Sequence, residues 1–219
     1  MTPAQPIAAF FDFDETLLSI DSAGIGFKVL REQGYLSWGF MLKMSIVLFL
    51  RKIGLVDEKV MAAAMVSFYK GRDLKLFEDN ALDFYTEYLR PNLSPEALAK
   101  LRWHQEQGHH TVLLTGSIEY YLKPVVEDLG IDHLLCSHLE INEQGLLTGR
   151  PLGPICVKET KLILAKELAE KNGIDLSKSY AYGNSESDIP MLGGVGHPFI
   201  VNPTPGLQKH AHRQGWPSL

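Results

Sequence analysis

An α/β fold, a parallel sheet with helices around it, is what this 219-residue chain predicts. Three observations carry that reading. Short apolar runs at residues 7–13, 109–117, 179–183 and 199–202 alternate with helical stretches, as in strand–helix–strand units joined by right-handed crossovers. One long helical block, residues 22–89, interrupts that alternation directly after the first strand. The residues able to do chemistry all fall at the carboxyl ends of the predicted strands, where open α/β sheets bind ligands.

Composition narrows the function classes. Hydrophobic residues make up 45% of the chain, enough for a globular protein with a substantial core. A net charge of −5 offers no basic face for nucleic acid. Cys136 and Cys156 show neither metal-ligand spacing nor a disulfide framework, so a reducing cytoplasm is the expected compartment. The N-terminus has no basic start and runs straight into acidic residues, unlike a signal peptide. Residues 36–56 are the most apolar stretch, but Lys43, Arg51 and Lys52 keep every uninterrupted run below the roughly 18 residues that span a bilayer. A buried helix of a small bundle is therefore expected there, and a lipid-accepting surface is the weaker alternative.

The elements follow in order. The first strand, residues 7–13, ends in two carboxylates, Asp12 and Asp14, close enough to repel unless a cation lies between them. The helical block follows, with apolar residues at helical spacing, as in Leu82, Tyr85 and Leu89. Pro91, Ser94 and Pro95 mark its end, and a helix runs on to Gly108. The strand 109–117 closes on Thr115, Gly116 and Ser117 at the start of a helix, an arrangement whose amides suit an anion. In that helix Pro124 is a kink or first-turn residue. Residues 138–149 predict a hairpin turning at 142–145. The helix 161–172 begins with Lys161, at the end where a cation is least favoured, so an anion is expected nearby. The strand at 179–183 leads into a loop holding Asn184 and Asp188, and 199–202 is a last short strand. Carboxylates with an amide oxygen suit Mg²⁺, and hydroxyl, amides and lysine suit a phosphoryl group. Together they amount to phosphoryl transfer through an aspartyl phosphate.

FDFDETL, LLTGS, Lys161 and GNSESD occur in the order of the four motifs of the haloacid dehalogenase superfamily, and the chain resembles its phosphoserine-phosphatase-like subfamily. The resemblance covers nearly the whole chain. It implies a Rossmann-like parallel core from residues 1–20 and 90–219, with residues 21–89 inserted as a helical cap. It implies Asp12 as nucleophile, Asp14 as acid/base, and Thr115 and the Gly116 amide, with Ser117, on the phosphate. Lys161 is the implied phosphate-site lysine, with Lys158 as the fallback. Mg²⁺ is implied as cofactor, held by Asp12, Asp14, Asn184 and Asp188. The implied partner is a small phosphorylated metabolite in the cytoplasm, without nucleic acid and without stable membrane contact.

Two departures from the subfamily stand out. Asn184 occupies a place usually held by Asp, which removes one charge from the expected metal site. Met65 stands where phosphoserine phosphatases keep an arginine for the substrate carboxylate, while Asp21 matches their acidic residue for the substrate amine. Half of an amino-acid clamp is therefore expected. A phosphate- or metal-binding regulatory protein with little turnover is the alternative that Asn184 supports. A receiver-like signalling domain is disfavoured by the helical insertion and by Asp14.

Overall fold

The computed structural model describes residues 5–219; residues 1–4, part of the stretch read as unlike a signal peptide, lie outside the described residues. Its sheet has six strands in the order β4-β3-β2-β1-β5-β6. They are β1 (Ala8–Phe11), β2 (His110–Ile118), β3 (His133–Ile141), β4 (Leu147–Leu152), β5 (Tyr180–Gly183) and β6 (His197–Ile200). All neighbours run parallel except the β3–β4 hairpin. β1 is central, with Phe11 level with Leu113 on β2 and Tyr182 on β5. It is shorter than the sequence predicts, because the chain leaves the sheet at Asp12 to form a turn.

The two-residue period of the strands sorts their side chains into two layers. Ala9, Phe11, Leu113 and Tyr182 enter one layer, under α6 (Pro95–Glu106) and α7 (Glu119–Leu129). Ala8, Phe10, Val112, Leu114 and Ala181 enter the other, under α8 (Glu159–Asn172), α9 (Ile189–Leu192) and α10 (Pro205–Gln214). A sheet covered on both faces needs strands apolar on both sides, and all four residues of β1 are buried. Side chains mark where helices begin. Ser94 Oγ accepts from Ala97 N with Pro95 in the first turn of α6, and Thr204 Oγ1 accepts from Leu207 N in α10. Pro124 lies inside α7, past its first turn.

The helical block comprises α1 (Ser22–Glu32), α2 (Trp38–Lys52), α3 (Glu58–Val66), α4 (Leu74–Asp79) and α5 (Ala81–Phe84). Val66, Phe68, Tyr69 and Phe77 pack with Leu139 and Leu147 of the hairpin, so this block rests on the β3–β4 edge. Main-chain bonds tie the two together: Gly71 N donates to Leu147 O and Leu147 N to Arg72 O, both at 2.8 Å. Ala81, Tyr85 and Leu89 instead pack in the main core. The expectation that residues 36–56 form a buried helix is corrected here. Trp38 is 84% exposed, and Leu42, Ile46 and Phe49 on the same stripe of α2 are exposed too, while Phe40 on the other side meets Phe27 and Phe68. A helix at the rim of a small bundle has neighbours on one side only. No helix among the described residues is long and apolar enough to cross a membrane.

Behind β1, a fully buried histidine joins α6 to the sheet. His104 Nε2 is 2.9 Å from the Tyr182 hydroxyl, and its Nδ1 is 2.8 Å from His109 Nδ1. Burial, reinforced by His109, pulls the His104 pKa down to about 3, so the folded protein holds it neutral. The unfolded chain would protonate it near the ordinary value of about 6.5. The unfolded state therefore gains protons as pH falls from there towards 3, and stability is lost over that window. In urea unfolding at pH 7 and pH 5, wild type is expected to lose more stability on acidification than His104→Gln, which keeps polar groups without the titration. An equal pH dependence in the two proteins would remove His104 as the cause.

Candidate active site

The site begins where β1 ends. Asp12 and Asp14 keep extended backbone, and Glu15 then turns left-handed at φ 54°. Phe13 and Leu17, both fully buried, anchor this turn in the core. The two aspartates consequently part. Asp12 Oδ1 accepts from Lys161 Nζ at 2.6 Å. Asp14 turns to the other side, accepting from Ser22 N at 2.6 Å and from the Ser117 hydroxyl at 2.8 Å.

Lys161 reaches Asp12 from the first turn of α8 and is 3% exposed. Its Nζ also donates to Asp188 Oδ1 at 2.6 Å. Burial by itself would lower the lysine pKa; the two carboxylates outweigh it and hold the ammonium charged. Asp188 Oδ2 accepts from the amides of Asn184 and Ser185 at 3.1 and 3.0 Å. Both Asp188 oxygens are thus engaged with protein donors, and what this aspartate visibly does is aim Lys161. Its place is tight: a Cβ on Gly183 would lie 2.6 Å from the Asp188 Cβ. Lys158 is the residue before α8, and its amide donates to the Ser187 hydroxyl.

The remaining predicted residues converge on one cavity of about 730 Å³, lined by Asp12, Asp14, Thr115, Gly116, Ser117, Lys161 and Asn184 at the strand ends. Asp21 and Met65 line it from the helical block. Asp188 is outside this lining and behind Lys161. Thr115 Oγ1 accepts from Ser117 N at 3.1 Å, within the irregular end of β2 where its pairing with β3 shifts register between Leu114 and Ile118. A Cβ on Gly116 would come within 3.0 Å of Val157, so a side chain there would crowd the loop. Asp21 caps α1, accepting from Ala23 N and Gly24 N at 3.1 and 3.2 Å.

Burial, with Asp188 adding to it, pushes the Asp12 pKa up to about 7 against the pull of Lys161. Burial also raises that of Asp14, opposed by its bonds from Ser22 and Ser117. An Mg²⁺ ion fits the donor set on two counts. The carboxylates of Asp12, Asp14, Glu15 and Asp188 outnumber the one ammonium among them, and hard oxygen donors face the cavity. Among the described residues no three His, Cys, Asp or Glu side chains form a cage, so amide or main-chain oxygens would have to contribute.

Glu15 is the site residue whose role the sequence left unread. Asn184 Nδ2 donates to Glu15 Oε2 at 2.9 Å, which orients the buried amide and leaves Oδ1 without a donor among the described residues. Its motif-one position placed it near the site, but the pairing joins positions 169 residues apart and had no local signal. Replacing Asn184 by Asp would set two carboxylates against each other, a repulsion of order 1 kcal/mol or more once solvent screening at exposed Glu15 is included. In metal-free buffer Asn184→Asp is expected to melt a few degrees below wild type. Adding Glu15→Gln, whose amide can donate to the new carboxylate, is expected to recover most of that loss. A single variant as stable as wild type would show that the pair does not form.

The family model for haloacid dehalogenase-like hydrolases matches residues 9–193. A probable phosphatase of Mycobacterium tuberculosis is 31% identical over 220 residues, covering 99% of this chain and 76% of that protein. A histidinol-phosphatase of Neisseria meningitidis is 32% identical over 140 residues, 63% of each chain. Among solved structures, a protein of unknown function from Bordetella pertussis Tohama I superposes with a TM-score of 0.88 at 25% identity, covering 99% of both chains. A phospho-aspartyl intermediate analogue of phosphoserine phosphatase superposes at 0.72 with 19% identity, covering 99% of this chain and 94% of that one, a likeness of fold. The family model spans most of the chain, residues 9–193, and this chain belongs to the haloacid dehalogenase-like hydrolase family.

Proposed function

We propose that this hydrolase is an Mg²⁺-dependent phosphatase that cleaves a phosphomonoester through a phosphorylated Asp12. The observation that carries the reading is the division of labour between the two aspartates. Asp12 has one oxygen pinned to the buried Lys161 ammonium, and Oδ2 is left without a donor among the described residues. That oxygen attacks phosphorus, forming the Asp12–O–P bond as the bond from phosphorus to the leaving oxygen breaks. Asp14, whose burial favours its protonated form, gives its proton to that leaving oxygen. It then takes a proton from the water that attacks the aspartyl phosphate, which returns Asp12 and releases inorganic phosphate. Ser22 and Ser117 keep the Asp14 carboxyl facing the cavity throughout.

Lys161 offsets charge on the phosphoryl oxygens, with residues 115–117 at the end of β2 as their cradle. The ion would be held by the Asp12 carboxylate, the Asp14 main-chain carbonyl and Asn184 Oδ1, and Asp188 would act on it through Lys161. Bound there, Mg²⁺ supplies positive charge at the phosphoryl oxygens that build up charge in the transition state. The helical block over the strand ends would serve as a cap that excludes water. The substrate belongs to the small phosphorylated metabolites, the class to which the names of the histidinol and phosphoserine phosphatases among the relatives refer.

Hydrolysis of p-nitrophenyl phosphate with Mg²⁺ tests this. Asp12→Asn is expected to lower turnover by about 10³-fold or more while leaving the circular dichroism spectrum and melting curve of a folded protein. Acid-quenched wild type taken during turnover is expected to carry one added phosphoryl group on the peptide containing Asp12. Near-wild-type turnover in Asp12→Asn would overturn the covalent route.

A further inference from the structure

The cavity over Asp12 extends well beyond the room a phosphoryl group needs, and most of the side chains on its cap side are hydrocarbon. Phe27 and Leu30 of α1, Leu48 of α2, and Met61, Met65 and Val66 of α3 all line it. Of the polar groups that could recognise an amino acid there, the expected arginine is absent, two are engaged within the protein, and one is a solvent-exposed arginine. Met65 gives no charge. Asp21 accepts from two amides at the start of α1. The Tyr69 hydroxyl is bonded to that of Tyr120 at 2.9 Å. Arg51 is the cation among the lining residues of the helical block, and it is exposed.

A volume of about 730 Å³ lies in the range of pockets that enclose ligands much larger than a phosphorylated amino acid. A polar leaving group would give up its hydration against these side chains without gaining hydrogen bonds, whereas a hydrocarbon leaving group gains from the same burial. We propose that the substrate is a phosphomonoester of an alcohol bearing a single hydrocarbon chain, with its phosphate at Asp12 and the chain between α1 and α3. This rests on the phosphatase reading above and deepens it.

Monoalkyl phosphates from ethyl to octyl, assayed with Mg²⁺ below their aggregation thresholds, provide the measurement. kcat/KM is expected to climb with chain length, by up to about fourfold per methylene, through a falling KM. Phosphoserine and glycerol phosphate are expected to rank with ethyl phosphate or below it. Met61→Lys is expected to flatten the octyl-to-ethyl ratio, a comparison within one protein that cancels any general loss of folded enzyme. Calorimetry of octyl against ethyl phosphate with Asp12→Asn reads the same preference without turnover and is expected to favour octyl. A flat or falling series with p-nitrophenyl phosphate still hydrolysed would overturn the chain proposal alone. Phosphoserine outranking octyl phosphate would do the same. If no ester is hydrolysed the phosphatase reading fails, and the calorimetric ratio still decides whether the cavity takes a chain.

Discussion

One buried ammonium holds this site together. Lys161 lies between Asp12 and Asp188 at 2.6 Å from each, with almost no solvent to screen the three charges. A charge removed from water is tolerated only when opposite charges and hydrogen bonds replace the lost hydration. Here they do so on both sides, and the second oxygen of Asp188 is in turn held by two amides of the loop after β5. The consequence reaches across the sheet. The ends of β1 and β5 and the start of α8 must meet at one point, and the parallel register that sets Phe11 beside Tyr182 brings the first two there.

The same interaction explains why the two aspartates of one short motif behave differently. Asp12 is drawn inwards to Lys161, whereas Asp14, beyond the departure from the strand, finds Ser22 and Ser117. Glu15 completes the turn in a left-handed conformation that is costly for a residue other than glycine. Its carboxylate meets the Asn184 amide, so the charge missing from the loop after β5 is matched by a carboxylate on the loop after β1. An amide facing a carboxylate has one workable orientation, and that orientation turns its oxygen away from Glu15.

The helical block is attached by different means. It sits on the β3–β4 edge through aromatic packing and two main-chain hydrogen bonds, with a Cβ on Gly149 only 2.7 Å from that of Lys70. A further tie reaches the site itself: Ser22 N, at the start of α1, donates to Asp14 Oδ1 at 2.6 Å. The cavity is thus walled by two kinds of surface: charged and hydroxyl side chains at the strand ends below, and mostly apolar side chains from α1, α2 and α3 above, with Arg51 among them.

Much of this was legible along the chain, because apolar runs, helix-starting residues and motif spacing are local properties. The run before Asp12 read as a strand suited to burial on both faces, and Lys161 at a helix start called for an anion that proved to be Asp12 together with Asp188. The four motifs were sufficient to indicate the family. Tertiary structure decided what depends on distant residues meeting. Apolar composition suggested that residues 36–56 would be buried, but burial needs neighbours on every side, and α2 has them on one. The sequence placed Asp188 at the metal or on Lys161, and the fold sets its oxygens against Lys161 and two amides. Glu15 and Asn184 are 169 positions apart, and nothing in the order of residues pairs them until the parallel sheet sets the ends of β1 and β5 side by side.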